Sequence, residues 1–360
     1  MAMLPRQQVA DALLHRISTG QLPPGQRLPT ELALAAEFSV SRGTVRSALQ
    51  VLAEQGAVEL QRGVGCFVRS TAKTAERNLI MFLHPQTDEL TSRMVSGMES
   101  RASEFGCELG IGSISAGVES AWQFAAKLKF ERVRGIIFIP YIQPNYYDVN
   151  SRLLDLFEFC NLRYVVIDTP IACNGVIRGD FVGNDGYTAM RQVVRALIER
   201  GHRRIGSIRV FAGVYSSDQR FRGIVDELNA AGLPVSPELH RVIDDVPLPE
   251  QGRAQIHDIL RLSSPPSAVI ASHDLLALNV FDELRRVGRR VPEDLSLFGF
   301  DDLYFTAPLE ISTVRQPQYA IGRRAVEFLL NPAAARRQEF LPCEVVIRNS
   351  VSPYYLIKEA

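Results

Sequence analysis

The chain has 360 residues, with 40 Lys+Arg against 40 Asp+Glu, 46% hydrophobic and 22% charged residues. That length bounds the protein to about two or three domains, and the composition is that of a chain that buries a sizeable core rather than a disordered one. Apolar runs such as 135–140 fall far short of the ~18 residues a membrane span needs, and five scattered cysteines with no CxxC pair fit neither a disulfide framework nor a zinc ribbon. The opening MAMLPRQQVADALL places Arg6 and Asp11 where a secretion signal needs an unbroken apolar stretch. A soluble cytoplasmic protein without membrane contact is expected.

Charge is uneven. Residues 1–78 carry nine basic and six acidic side chains, so the rest of the chain holds the matching acidic excess. In that first segment, Val9, Leu13, Leu14 and Ile17 recur at helical spacing until Gly20, and a PPG turn follows at 23–25. Thr30 is placed to cap a short helix carrying Leu32, Leu34, Ala35, Ala36 and Phe38, and Ser41 to cap a third with Val45, Ala48, Leu49 and Leu52. Two short strands at 58–61 and 66–69, joined through Gly63 and Gly65, complete a winged helix-turn-helix. Arg42, Gly43, Thr44 and Arg46 lie in the first turns of the third helix, off its apolar face. The N-terminal end of such a helix enters the DNA major groove, where arginine can bridge both acceptors of a guanine. Ordinary surface arginines are the alternative for each residue taken singly.

The stretch LPPGQRLPTELALAAEFSVSRGTVRSALQVLAEQGAVELQRGVGCFV resembles the GntR-type winged-helix DNA-binding domain over its whole length. The resemblance implies that Arg42, Thr44 and Arg46 contact operator DNA, that Gly63 and Gly65 form the wing tip, and that Thr30 belongs to the same interface. Gly43 stands where Thr is usual, and Leu32 where a basic residue often touches phosphate. Residues 70–78 read as a polar linker, with a short helix as the alternative.

From residue 79 the pattern alternates. Apolar runs at 79–83, 109–112, 135–139, 164–168, 205–210, 268–271 and 295–298 read as strands, and 91–106, 186–201, 221–232, 251–262 and 275–287 as helices. Wholly apolar strands between amphipathic helices predict parallel sheets covered on both faces, with ligands beyond the strands' carboxyl ends. No GxSxG, GxxxxGK[ST] or HExxH motif occurs, so no enzyme, catalytic residue, metal or cofactor is expected.

The segments RGIIFIP (134–140), YVVID (164–168), GHRRIG (201–206), QRFRGIVDELNAAGL (219–233) and VPEDLSLFGFDD (291–302) are similar to the effector-binding domain of LacI-type repressors, a relative of periplasmic sugar-binding proteins. Joined to a GntR-type head, this body resembles the arabinose-responsive subclass of the GntR family. The fold class implied is α/β: a winged helix-turn-helix over 1–69, and a two-lobed body of two helix-covered parallel sheets over 79–360. The expected N-lobe takes in about 79–178 and 303–322, and the C-lobe about 179–302 and 323–360.

The resemblance places a small sugar between the lobes. Arg220 is a donor to vicinal hydroxyls, or a partner in an ion pair. Asp274 is an acceptor or a helix cap. Asp168 and Asp88 follow strands and can bind ligand or cap turns, while Phe305 and Tyr141 are sugar platforms or core aromatics. Asp185 reads as a helix cap, Asp301 and Asp302 as hinge and structural groups, and Gln316 as a weak site residue. The implied partners are double-stranded operator DNA, a monosaccharide effector and a second copy of the chain. The expected function is allosteric repression; a nucleobase corepressor, a solute-binding module and an enzyme are the alternatives.

Overall fold

The structure is a computed structural model describing residues 5–18, 21–23, 25–54, 56–61, 64–69, 78–85, 88–114, 132–142, 147–173, 176–210, 212–243, 250 and 252–353. The head holds α1 (Pro5–Ser18), α2 (Glu31–Glu37), α3 (Arg42–Glu54) and an antiparallel ribbon of β1 (Val58–Gln61) and β2 (Gly65–Val68). The i, i+3, i+4 spacing of Val45, Ala48, Leu49 and Leu52 turns one stripe of α3 inward against Leu13 and Leu34, and β2 adds Cys66 and Val68 to the same core. The winged helix-turn-helix read from the sequence is therefore present. Gly63 and the linker over 70–77 lie outside the described residues.

The first sheet of the body is built from β3 (Leu79–His84), β4 (Glu108–Ser113), β5 (Val133–Phe138), β6 (Arg163–Ile167), β9 (Asp180–Asn184) and β15 (Gln338–Leu341), in the order β15-β9-β6-β5-β3-β4, all parallel. A small hairpin of β7 (Ala172–Cys173) and β8 (Val176–Ile177) precedes β9. Alternate residues of β3 serve opposite faces. Ile80 and Phe82 join one core with α4 (Glu89–Glu104) and α10 (Gln318–Leu330), while Met81 and Leu83 join another with α5 (Tyr147–Phe159). A strand buried on both sides must be apolar throughout, which is why these segments were legible.

The second sheet runs β11-β10-β12-β13, from β10 (Ile205–Val210), β11 (His240–Ile243), β12 (Ala268–Ala271) and β13 (Ser296–Phe298), again parallel. Helices α6 (Gly186–Glu199) and α7 (Tyr215–Ala230) cover one face, and α8 (Arg253–Leu260) and α9 (Asp274–Arg286) the other. A short antiparallel pair, β14 (Thr313–Arg315) and β16 (Glu344–Val346), closes this lobe.

Strand pairing moves the lobe boundaries away from those expected. Residues 180–184 and 318–341 belong to the first lobe, and 303–315 and 344–353 to the second. The chain crosses at 184–186, 315–318 and 341–344 rather than near 178, 302 and 322. The reason is local. β9 (DFVGN) and the edge strand β15 (QEFL) are short and half polar, so neither stands out as a buried strand until it pairs.

Candidate functional site

In the head, Ser41 Oγ accepts from Thr44 N at 3.1 Å and shares a 2.8 Å bond with Thr44 Oγ1, which fixes the start of α3. Thr30 Oγ1 accepts from Ala33 N at 3.2 Å and caps α2. With the apolar stripe buried, Arg42 and Arg46 project outward, their side chains 63% and 67% exposed. Arg46 forms a fork with Glu31: Nε to Oε1 at 3.0 Å and Nη2 to Oε2 at 2.8 Å; Arg42 Nη2 lies 3.8 Å from the same carboxylate. The bond from Arg46 holds Glu31 below the usual carboxylate range. At the wing, Gly65 has φ 141°, and a Cβ there would stand 2.7 Å from Arg27 Nε, so only glycine lets Arg27 lie along the ribbon. The head thus presents Arg42 and Arg46 at the start of α3 and Arg27 beside β2, a neighbour that only the fold brings to the ribbon.

In the body, the residues after the strand ends converge between the lobes. Asp168 follows β6 with φ 69° and Asp301 follows β13 with φ 129°; both stand in the left-handed half of backbone space that side-chain-bearing residues avoid. Arg220, on α7, donates from Nη1 to the Ser272 carbonyl at 2.8 Å, and its guanidinium lies 3.6 Å from the Phe300 ring centroid. Its Nε is buried with no hydrogen-bond partner among the described residues. Gly186 faces that side chain, where a Cβ would stand 3.1 Å from Arg220 Cγ.

Burial raises the Asp168 carboxyl, the positive charge of Arg220 opposes that, and the negative charge of Asp88 adds to it. Burial pushes Asp301 up to about 8, again against the pull of Arg220. Asp301 Oδ1 accepts from Gln316 Nε2 at 2.6 Å, and Gln316 Oε1 accepts from Asn184 Nδ2 and Gln318 Nε2, each at 2.8 Å. Gln316 therefore joins a first-lobe strand, a crossover and the cleft carboxylate.

His273 occupies the N-cap of α9, its Nδ1 accepting from Leu276 N at 3.1 Å. Burial holds the ring down at about 4, leaving a neutral imidazole whose proton sits on Nε2.

Several expected site residues fall elsewhere. Asp274 is fully buried: Oδ1 accepts from Thr313 Oγ1 at 2.6 Å and Oδ2 from Leu303 N at 2.9 Å, so it pins the 301–313 turn instead of facing a ligand. Tyr141 packs in the core beside α5, its hydroxyl bonded to the Ile114 carbonyl, and is no open platform. Asp88 caps α4 through Thr91 N at 2.8 Å and Thr91 Oγ1 at 2.7 Å, and contributes charge to the cleft. Phe305 is half-buried, edge-on to the exposed ring of Tyr304. Asp185 caps α6, as its sequence context suggested. Of the pair expected as hinge and structural groups, Asp302 is structural as expected: its bonds from Arg348 and Arg315, both 2.6 Å, outweigh burial and lower its carboxyl. Asp301 belongs to the cleft. Its place at a strand's carboxyl end was the signal that could have found it.

A cavity of about 440 Å³ lies away from the cleft on the first lobe, lined by Arg101, Arg324, Phe328 and Arg337 with Glu327 and Glu339. Its arginines are already paired to Glu327, Glu339 and Asp180. Among the described residues no His, Cys, Asp and Glu group could hold a metal ion, and no helix is long and apolar enough to cross a membrane.

Comparison with known proteins divides the chain the same way. Residues 5–68 match the family described as bacterial regulatory proteins, gntR family, and residues 194–351 match the periplasmic binding protein-like domain. The arabinose metabolism transcriptional repressor of Geobacillus stearothermophilus is 27% identical and aligns over 95% of this chain and 96% of its own. The HTH-type transcriptional repressor CytR of Escherichia coli (strain K12) is also 27% identical, over 78% of this chain and 81% of its own. Among solved structures, a transcriptional regulator CelR–cellobiose complex superposes with a TM-score of 0.67 at 22% identity, covering 90% of this chain and all of that one.

Proposed function

We propose that this chain, a GntR-type DNA-binding head joined to a LacI-type effector-binding body, is a transcriptional repressor whose operator affinity is set by a monosaccharide held between the lobes. The observation that carries the reading is the convergence of Arg220, Asp168, Asp301 and Gln316 at the strand ends of both lobes, on a chain that also presents Arg42 and Arg46 from a helix N-terminus. Hydroxyl groups offer donors to carboxylates and acceptors to guanidinium, and a pentose or hexose supplies both on adjacent carbons. The buried, unpartnered Nε of Arg220 leaves a donor for such a group.

Arg42 and Arg46 read bases or phosphates in the major groove, with Thr44 beside them and the glycines of the wing approaching the backbone. A pseudo-palindromic operator read by two heads calls for a homodimer, because operator symmetry mirrors protein symmetry. Sugar binding draws on groups from both lobes, so it favours one lobe arrangement, and DNA affinity falls by that differential affinity. Action on DNA places the protein in the cytoplasm.

The test takes the full-length chain through selection of bound genomic fragments, then measures affinity for the selected DNA with and without each of a panel of pentoses and hexoses. Release by one sugar, lost in Arg220→Ala, supports the reading. Tightening by a nucleobase would reverse the direction and replace the sugar.

A further inference from the structure

Helix α1 turns one stripe into the head, where Val9 and Leu13, one turn apart, are buried. Helical geometry, at about 100° per residue, sends Asp11 to the opposite side, outside that core. Helix α5 of the first lobe lies against α1. Burial raises the Asp11 carboxyl, and the positive charge of Arg152, on α5, opposes the rise. A side chain that points away from its own domain's core is desolvated by a neighbour from elsewhere, and the neighbour whose charge it feels is in the body. On α5, Arg152 is exposed. Leu156, one turn further along the same face, is buried without entering the core that takes Leu153, Leu154 and Phe157. The acidic side chains nearby, Asp155 and Glu158, are held by Arg178 at 2.8 and 2.9 Å.

We propose that the head docks on its own first lobe, α1 against α5, with Asp11 opposite Arg152 and Leu156 beneath α1. The dock leaves the DNA-reading side of the head open, because Arg42 and Arg46 project from α3 into solvent. A polar contact of this kind is weak between separate molecules. Head and body share one chain, however, and tethering holds the two surfaces at a high effective concentration.

Helix α5 is also fastened to segments beyond the strand ends. Asn150 bonds both main-chain groups of Tyr141, past the end of β5: its Oδ1 accepts from Tyr141 N at 3.0 Å and its Nδ2 donates to the Tyr141 carbonyl at 2.9 Å. Arg178, which follows the β7–β8 hairpin, donates to the Ser151 carbonyl at 3.3 Å as well as to its two carboxylates. On the reading that the cleft between the lobes binds the effector, the dock is where a displacement of these segments reaches the head. The dock itself does not depend on that reading.

The experiment uses full-length Arg152→Lys, which keeps the charge and supplies an amine. A water-soluble carbodiimide joins that amine to the Asp11 carboxylate as an amide, the carbodiimide taking up the water as its urea. Peptide mass spectrometry should find positions 11 and 152 linked in a species of monomer mass, and Asp11→Asn in the same background should lose the link. A link at dimer mass would put the head on the partner's lobe, and no link while other carboxylates react would leave the head undocked; either result overturns the proposal. In small-angle scattering, Asp11→Arg and Arg152→Glu should each enlarge the radius of gyration of the full-length protein, and the double reversal should restore it. Equal values in all four proteins would overturn the pairing of these two charges. With the selected DNA and the panel of pentoses and hexoses, Asp11→Arg should keep sugar binding and lose part of the sugar-induced change in DNA affinity; a full response would overturn transmission through the dock. If no sugar of the panel acts on wild type, the functional reading fails, and the cross-link and the scattering still decide the dock.

Discussion

Arg93 Nη2 donates to the main-chain carbonyl of Asp302 at 3.0 Å, tying a first-lobe helix to a second-lobe turn. Glu89, ion-paired with Arg93, accepts from Tyr304 N at 3.0 Å and completes the clasp. Asp301, beside Asp302, lies in the cleft, and Asp88, beside Glu89, caps the same helix. The turn that carries Asp301 is thus bonded to the N-terminal part of α4.

Arg93→Ala removes that tie without touching the cleft carboxylates. Effector affinity should change little, whereas the effector-induced change in DNA affinity should shrink by about 0.5–2 kcal/mol. Fluorescence anisotropy with labelled operator, with and without effector, measures it. An unaltered response would show that the clasp does not transmit occupancy.

Arg46→Ala should weaken operator binding by about 1–3 kcal/mol where Arg46 reads a base. The melting temperature should barely move, because the pair with Glu31 is solvent-exposed and such pairs add little to stability. Binding isotherms on operator and on scrambled DNA separate a base contact from a phosphate contact, since only the former relaxes specificity.

Helices α4 and α10 touch through glycine. A Cβ at Gly97 would lie 2.1 Å from the Tyr319 carbonyl oxygen, and one at Gly322 2.1 Å from that of Met94. Neither backbone can yield without separating the helices, so Gly97→Ala or Gly322→Ala should cost about 1–3 kcal/mol. Urea unfolding of each variant checks this; a wild-type midpoint would mean that the helices slide apart freely.

The raised carboxyl of Asp301 gives stability a pH dependence. Its folded value of about 8 lies above its unfolded value of 3.8, so the native state binds the extra proton between them. Stability from this group is present at low pH and is lost as pH rises toward 8. His273, held down at about 4 against 6.5 unfolded, acts oppositely below pH 6.5, so the comparison with Asp301→Asn is made from 6.5 to 8. Over that interval wild type should lose melting temperature faster than Asp301→Asn. Parallel curves would mean that Asp301 stays ionised in the folded chain.

The head was legible because its information is local. Thr30, Ser41 and the spacing of Val45, Leu49 and Leu52 define helices whose caps and buried stripes depend on neighbours three or four residues away. The apolar strands of both sheets were legible for a similar reason, since burial on two faces leaves no room for polar residues. The cleft was legible only as a set of strand ends. Choosing between Asp274 and Asp301 required knowing that Thr313 and Leu303, 39 and 29 residues further along, close over the first. Likewise Tyr141 was settled by the carbonyl of Ile114, 27 residues away. Sequence by itself determined which elements form and which chemistry the strand ends carry. Only the tertiary structure decided which carboxylates are consumed by internal donors and which remain for a ligand, because each such donor arrives from a distant segment that no local pattern specifies.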